Sequence, residues 1–289
     1  MGQIKIARSA VDLRAALGQL RSRGGKLALV PTMGALHPGH LALVEAARSR
    51  ARACAVSIFV NPKQFGPGED LASYPRNEAG DIAQCAERGA DLVYVPRLKD
   101  FYPAGFASTV SVGGVAEGLC AAFRPQMFSG VATVLTKLFL QVMPNVAVFG
   151  EKDYQQLLVI RRLVRDLDFP IEIVGVATVR EADGLACSSR NAYLTAPERT
   201  IAPELYRTLT SAASYLRQGA LAKDVLPAAA RALIDRGFTA VDYVELRDAE
   251  TLAPLATVDR PARLLAAAWL GRARLIDNVP VEPSGSGIG

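Results

Sequence analysis

A doubly wound parallel α/β sheet of the Rossmann type, followed by a smaller α+β domain, is the fold class this chain predicts, and three observations predict it. Short continuous apolar runs, Leu27-Ala28-Leu29-Val30 and Ala55 to Val60, have the character of strands buried on both faces of a parallel sheet. They alternate with amphipathic helical patterns at crossover lengths, as βαβ units require. After about Val179 the alternation gives way to Ala-rich helices and then to two strand-like runs.

Each element has a local reason. Ser9, with Asp12 three residues later, caps a helix that runs to about Leu20 and is ended by Gly24-Gly25. The Leu27 to Val30 strand is followed by a Gly-containing loop and by the helical pattern of Leu41, Val44 and Ala47, and the run to Val60 closes the first βαβ unit. A helix around Asp81 to Arg88, a strand at Leu92 to Val95, a helix around Val131 to Gln141 and a strand at Val146 to Phe149 repeat the pattern, and another helix covers Tyr154 to Leu167. The second part reads as helices at Pro197 to Gln218 and Lys223 to Arg236, strands at Val241 to Leu246 and Arg263 to Leu270, and a Gly-Ser-rich frayed tail from Pro283 to Gly289. The expected domains are 1–178 and 179–289.

With 289 residues, 50% of them hydrophobic and 21% charged, the composition excludes intrinsic disorder. Its 24 Gly and 17 Pro follow no period, which excludes collagen and solenoid architectures. The net charge of +5 comes from 33 basic and 28 acidic residues that are interspersed, which lends a nucleic-acid partner little support; the pI near 9.1 fits a small polyanion such as ATP at least as well as DNA, and composition does not decide between them. Cys54, Cys85, Cys120 and Cys187 are far apart and form no CxxC pair; they read as free thiols in a reducing compartment, the cytoplasm. Charges interrupt every apolar run near the amino terminus, leaving no signal-peptide core, and Lys137, Gln141, Pro144 and Asn145 break the one weakly charged stretch that resembles a membrane span.

Ligands on doubly wound sheets bind beyond the carboxyl ends of the strands. The loop after the first buried strand holds both histidines of the chain, in the tetrapeptide His37-Pro38-Gly39-His40. Two solvated turn histidines would be the plain structural reading. Spacing i, i+3 at a helix start instead puts both imidazoles on one side, beside free N–H groups and the positive end of the helix dipole, which makes an anion site. Pro38 suits the first turn, and Gly34 and Gly39 allow close approach to the backbone.

The run Met33-Gly34-Ala35-Leu36-His37-Pro38-Gly39-His40 resembles the signature of the HIGH-type nucleotidyltransferases, which attack the α-phosphate of ATP and release pyrophosphate. Four further segments narrow the resemblance: Val60-Asn61-Pro62-Lys63-Gln64-Phe65, Phe149-Gly150-Glu151-Lys152-Asp153-Tyr154-Gln155-Gln156, Asp183 to Asn191, and Asp242 to Asp248. Together with Pro31 to His40 they span nearly the whole chain in order and are similar to the pantoate:beta-alanine ligase family.

The resemblance implies a reaction in which ATP and pantoate give pantoyl adenylate and pyrophosphate, after which beta-alanine displaces AMP. An anion attacking a phosphorus needs positive donors rather than a covalent nucleophile. By resemblance His37, His40, Lys152 and Arg190 are those catalytic donors, with His40 giving the proton. ATP is expected at Met33 to His40, at Gly150, Glu151, Lys152 and Asp153, at the backbone near Val179, and at Cys187, Ser188, Ser189 and Arg190. Mg2+ is expected to bridge the phosphates, with no protein-held metal site. Gln64 and Gln156, with Asn61 and Arg124, are the expected pantoate and beta-alanine residues. The loop with Gly66, Gly68 and Tyr74 is expected to exclude water from the intermediate, as is the second domain by closing over the site. The family also implies a homodimer. Two positions depart from its pattern: Met127 stands where histidine is usual and is left out of the site, and Cys187 stands where methionine is common, a mild change between soft apolar residues. Two alternatives remain at this point. A nucleotidyltransferase that stops at transfer to a phosphate would share the first motif but not the Gln64 and Gln156 elements, and a basic RNA-binding protein would show affinity falling steeply with salt.

Overall fold

The computed structural model describes residues 4–283. In chain order the elements are β1 (Lys5–Ala7), α1 (Ala10–Arg21), β2 (Leu27–Thr32), α2 (Pro38–Arg50), β3 (Ala53–Ile58), α3 (Glu78–Glu87) and β4 (Leu92–Tyr94). The short α4 (Leu98–Phe101) and α5 (Cys120–Phe123) precede α6 (Met127–Val142), β5 (Val146–Gly150), α7 (Tyr154–Asp166) and β6 (Glu172–Val176). Then come α8 (Ala196–Ile201), α9 (Glu204–Arg217), α10 (Ala222–Asp235), β7 (Ala240–Asp248), β8 (Ala262–Leu270) and β9 (Ala273–Val281). Contacts group these elements into two compact units. One comprises residues up to 116 with 124–151 and 156–177, and the other comprises 117–123, 152–155 and the chain from 178 on.

In the first unit six strands form one sheet in the order β1-β4-β3-β2-β5-β6, every pair parallel. Side chains alternate between its faces. Ala28, Val30, Cys54, Val56, Val93, Val146 and Val148 join Val44 and Ala47 of α2 and Cys85 of α3 in one core layer, and Leu29, Ala55, Leu92 and Ala147, which point the other way, are equally buried. Burial on both faces explains why these strands read as unbroken apolar runs. The α1 helix begins as its sequence predicts, in a reciprocal capping box: Ser9 Oγ accepts the Asp12 N–H, and the Asp12 carboxylate accepts the Ser9 N–H. Such a cap contributes about 1 kcal/mol.

In the second unit β7, β8 and β9 form an antiparallel sheet with β8 in the centre. Leu205, Leu209 and Leu216 of α9 and Leu233 of α10 share a core with Leu246, Leu264, Ala266, Leu275 and Val279. The turn between β8 and β9 is two residues long and places Gly271 at φ +54°, where an L side chain is strained.

The differences from the sequence reading have physical reasons. The single helix expected over Pro197 to Gln218 is two helices, because Pro203 between them has no N–H to donate. The strand expected to reach Val60 ends at Ile58. Strands β1, β6 and β9 lie outside the sequence expectation: β1 has three residues, β6 has a largely half-exposed face, and Arg274, Asp277 and Asn278 interrupt the apolar pattern of β9. Of the tail expected from Pro283 to Gly289, residues 284–289 lie outside the described residues. Among the described residues no helix is long and apolar enough to cross a membrane. The four cysteines are buried free thiols.

Candidate active site

The strand order reverses at β2. The chain steps from β2 outward to β3 and β4, then returns to place β5 on the other edge of β2, and the crevice at such a switch point is where parallel sheets hold ligands. The turn leaving β2 there is residues 33–37. Gly34 and Ala35 are both left-handed, at φ +81° and +50°. Three successive amides are held within the protein: the Gly34 N–H donates to Thr32 Oγ1 at 3.2 Å, and the Ala35 and Leu36 N–H groups each donate to the Asp81 carboxylate at 2.8 Å. Gly34 has a reason beyond phosphate access, since a Cβ there would lie 2.9 Å from Asp81 Oδ2 and 3.0 Å from Ile58 Cγ2.

His37 is the extended N-cap residue of α2, and Pro38 begins the helix, where no N–H is needed. The His37 and His40 rings lie together, centroids 4.0 Å apart and planes tilted by 37°. Both rings are half-buried, and both Nδ1 atoms are sequestered from solvent. Spacing i, i+3 across a helix start thus brings the imidazoles to one place, as expected.

After β3 the chain makes a short turn, Asn61 to Gln64, seated on α6. A Cβ on Gly130 would collide with the Lys63 carbonyl, so only glycine lets the helix and the turn approach this closely. Asn61 is buried, and its side chain is saturated: Nδ2 donates to Gln64 Oε1 at 3.0 Å and to the Gly130 carbonyl at 3.1 Å, and Oδ1 accepts from the Lys63 N–H and the Tyr102 hydroxyl. Burial pushes the Tyr102 phenol above its ordinary pKa, so it stays protonated and donates. Gln64 Nε2 lies 3.1 Å from Met33 Sδ. Arg124 is also committed within the protein. Nε and Nη2 form a fork onto Glu69 at 2.7 and 2.6 Å, Nη2 reaches the Gln64 carbonyl at 3.2 Å, and Nη1 lies 2.8 Å from Met127 Sδ. The Met127 sulfur therefore sits against this guanidinium.

In the second unit Lys152 is largely buried, its Nζ 3.9 Å from the more exposed Asp153 carboxylate. Its carbonyl accepts from Asn278 Nδ2 at 2.9 Å; Asn278 Oδ1 accepts from Arg263, whose guanidinium stacks on Tyr154 at 4.1 Å. The neighbouring Asp277 takes both forks of Arg180, at 2.6 and 2.9 Å, while Arg180 stacks on Tyr206 at 3.6 Å. Arg180 leads a narrow loop in which the Cys187 N–H donates to the Val179 carbonyl at 2.9 Å. Ser188 caps the helical turn of Ser189 to Tyr193 by accepting the Arg190 N–H. Gln155 is buried and structural, accepting from the Cys120 N–H and donating to the Glu117 and Gly118 carbonyls. Back in the first unit, Gly150 ends β5, Glu151 follows it half-buried, and the side chain of the half-buried Gln156 has no hydrogen-bond partner among the described residues.

A family model described as pantoate-beta-alanine ligase matches residues 5–280. The chain belongs to the pantoate-beta-alanine ligase family. A pantothenate synthetase of Paramagnetospirillum magneticum is 57% identical over 280 residues, 97% of this chain and 99% of that protein. One from Rhizorhabdus wittichii is 56% identical over 281 residues, covering 97% and 100%. Among solved structures, the pantothenate synthetase of Thermus thermophilus superposes with a TM-score of 0.91 at 48% identity, covering 97% of this chain and all of that one. A pantoate-beta-alanine ligase of Francisella tularensis, solved in complex with beta-gamma ATP and beta-alanine, has a TM-score of 0.82 at 32% identity, covering 96% and 97%. A family match of this extent removes both alternatives left open by the sequence.

Sequence reasoning passes over the residues that hold the ligase-family motifs in place: Asp81, Glu69, Gln155, Asp277 and Asn278. Only the last two carry a local signal, an adjacent polar pair inside a strand-like run. The others act on partners tens of residues away.

Proposed function

We propose that the chain is an ATP-dependent ligase that condenses pantoate with beta-alanine to pantothenate through a pantoyl adenylate, releasing pyrophosphate and AMP. The observation that carries this reading is the family match over residues 5–280. In the first step a pantoate carboxylate oxygen bonds to the α-phosphorus as the bond to the β-phosphate bridging oxygen breaks. In the second, the beta-alanine nitrogen attacks the acyl carbon, AMP leaves with the bond electrons, and the amine gives up a proton.

His37, His40, Lys152 and Arg190 are the donors that meet the charge developing on the phosphates, with His40 giving a proton to the leaving group. This division of labour suits a reaction whose barrier is electrostatic. Gln64 and Gln156 bind pantoate, since a neutral amide can both donate to its carboxylate and accept from its hydroxyls. Asn61, saturated by its own neighbours, and Arg124, committed to Glu69 and to the Gln64 carbonyl, act by fixing Gln64. Glu151, Asp153, Ser188 and Ser189 serve ATP. Mg2+ enters as MgATP, as part of the substrate, and shields the charge of the phosphates. The enzyme works in the cytoplasm, the reducing compartment that its free thiols suit, and as a homodimer, as its family resemblance implies.

Isotope exchange between pyrophosphate and ATP tests the scheme. Exchange is expected with pantoate and MgATP alone, and AMP release only when beta-alanine is added. Exchange that requires beta-alanine would overturn the two-step order.

A further inference from the structure

We propose that Asp81, on α3, is a positioning residue that sets the two imidazoles by gripping the turn in front of them. The proposal rests on the reading that His37 and His40 act on ATP. Asp81 is 1% exposed, and among the described residues no Lys, Arg or His pairs with it. A carboxylate buried without a cation is costly unless other donors hold it. Here the donors are the backbone amides of Ala35 and Leu36, each 2.8 Å away and more than forty residues distant in sequence.

Those amides belong to a turn that would not hold its shape unaided. Ala35 has a Cβ and sits at φ +50°, a conformation that persists in a non-glycine residue only when its surroundings impose it. Consecutive N–H groups of such a turn converge on a concavity that binds anions. In this protein the concavity is filled by the protein's own carboxylate, and the adjoining Gly34 amide is taken by Thr32. Phosphate is therefore received further on, where the helix starts and the rings lie 4.0 Å apart. The gripped Leu36 is the residue immediately before the His37 N-cap, so the grip fixes the direction in which α2 and both imidazoles leave the sheet.

Two kinds of measurement test this, on the full chain and on the variants Asp81→Ala and Asp81→Asn. Amide hydrogen exchange reads the grip itself: Ala35 and Leu36 are expected to be protected in the native protein and to exchange rapidly in Asp81→Ala, with β2 amides unchanged. Pantoate-dependent pyrophosphate exchange reads the consequence. A displacement of the rings by about 1 Å costs on the order of 100-fold, so kcat in Asp81→Ala is expected to fall by about that factor per folded molecule, with the KM for pantoate within about twofold. Formate should restore part of the rate by refilling the concavity, and chloride at equal ionic strength should not. Asp81→Asn keeps the size of the side chain and one acceptor oxygen, so it is expected to fold and to fall between native and Asp81→Ala. An active native enzyme beside an Asp81→Asn or Asp81→Ala enzyme of unchanged kcat would overturn the inference alone. A native protein with protected amides but no pantoate-dependent exchange would instead defeat the functional reading, and this inference with it.

Discussion

The side-chain amide of Asn61 donates to Gln64 Oε1 at 3.0 Å, and this one bond decides which way the Gln64 amide faces. With its oxygen engaged there, Gln64 turns its NH2 group toward Met33. Replacing Asn61 by Leu removes that bond and leaves the Tyr102 hydroxyl, the Lys63 N–H and the Gly130 carbonyl short of a partner. A stability loss of about 1–3 kcal/mol is expected for such stranded buried groups, together with a fall in kcat/KM for pantoate while the KM for ATP holds within about twofold. Denaturant titration and initial rates in each substrate measure the two effects. An ATP KM that rises as much as the pantoate KM would show that the turn serves the nucleotide.

The adjacent glutamines of α7 should separate cleanly. Gln155 is 4% exposed and makes three hydrogen bonds to the segment 117–120, whereas Gln156 makes none among the described residues. Gln155→Leu is expected to lower stability by about 1–3 kcal/mol, the cost of unpaired buried polar groups. Gln156→Leu is expected to leave stability within about 0.5 kcal/mol, as half-exposed substitutions do, and to cost about 1–3 kcal/mol in kcat/KM for pantoate. A loss of equal size in ATP binding would take Gln156 out of the acid site.

Removing one of the proposed transition-state donors should cost turnover and little else. His40→Ala and Lys152→Ala are each expected to lower kcat by about 10²–10³-fold, with the melting temperature almost unmoved. The reverse pattern, a large drop in melting temperature with normal turnover per folded molecule, would make these side chains structural.

Alkaline pH should weaken the fold through two thiols. Burial is the main cause that pushes Cys54 and Cys85 up to about 12. In the unfolded chain a thiol ionises near its ordinary value, about 8.5. Between those limits the unfolded state binds fewer protons than the folded one, so stability falls as pH rises. Each thiol contributes a slope of about 1.4 kcal/mol per pH unit in that window and nothing below it. Unfolding free energies measured from about pH 7 to about pH 10.5 should thus bend downward above about pH 8.5, and the double Ala variant should bend less. Identical curves for the two proteins would refute the assignment. All four thiols should also resist a thiol reagent until the chain is unfolded.

What the sequence discloses follows from the distance over which each feature acts. The capping box at Ser9 and Asp12, the apolar runs of β2, β3 and β5, and the pairing of His37 with His40 are all settled within a few residues, where periodicity and spacing can be read directly. The grip of Asp81 on Ala35, the fork of Arg124 on Glu69 and the support of Lys152 by Asn278 join segments that only the fold brings together. Asp81 looks in the sequence like any acidic residue in the first turn of a helix, a position favoured by the helix dipole alone. Strand β9 is hidden for a related reason: the polar residues that disrupt its pattern are buried because they bind Arg180, Arg263 and Asp242, partners that the sequence does not identify.

The place of β2 between β3 and β5 shapes what happens while the chain is still being made. Once Tyr94 has emerged from the ribosome, β2, β3, β4 and β1 can pair, but the second edge of β2 has no partner until Val146 to Gly150 follows. At the usual pace of translation that interval lasts about 3–10 s. For that time the nascent chain presents the row of open amides and carbonyls on Leu27–Thr32, one of its most apolar strands, a template for pairing with neighbouring chains. The strand at the centre of the finished sheet is thus the most exposed edge of the half-made one, and it is there that a chaperone would be needed.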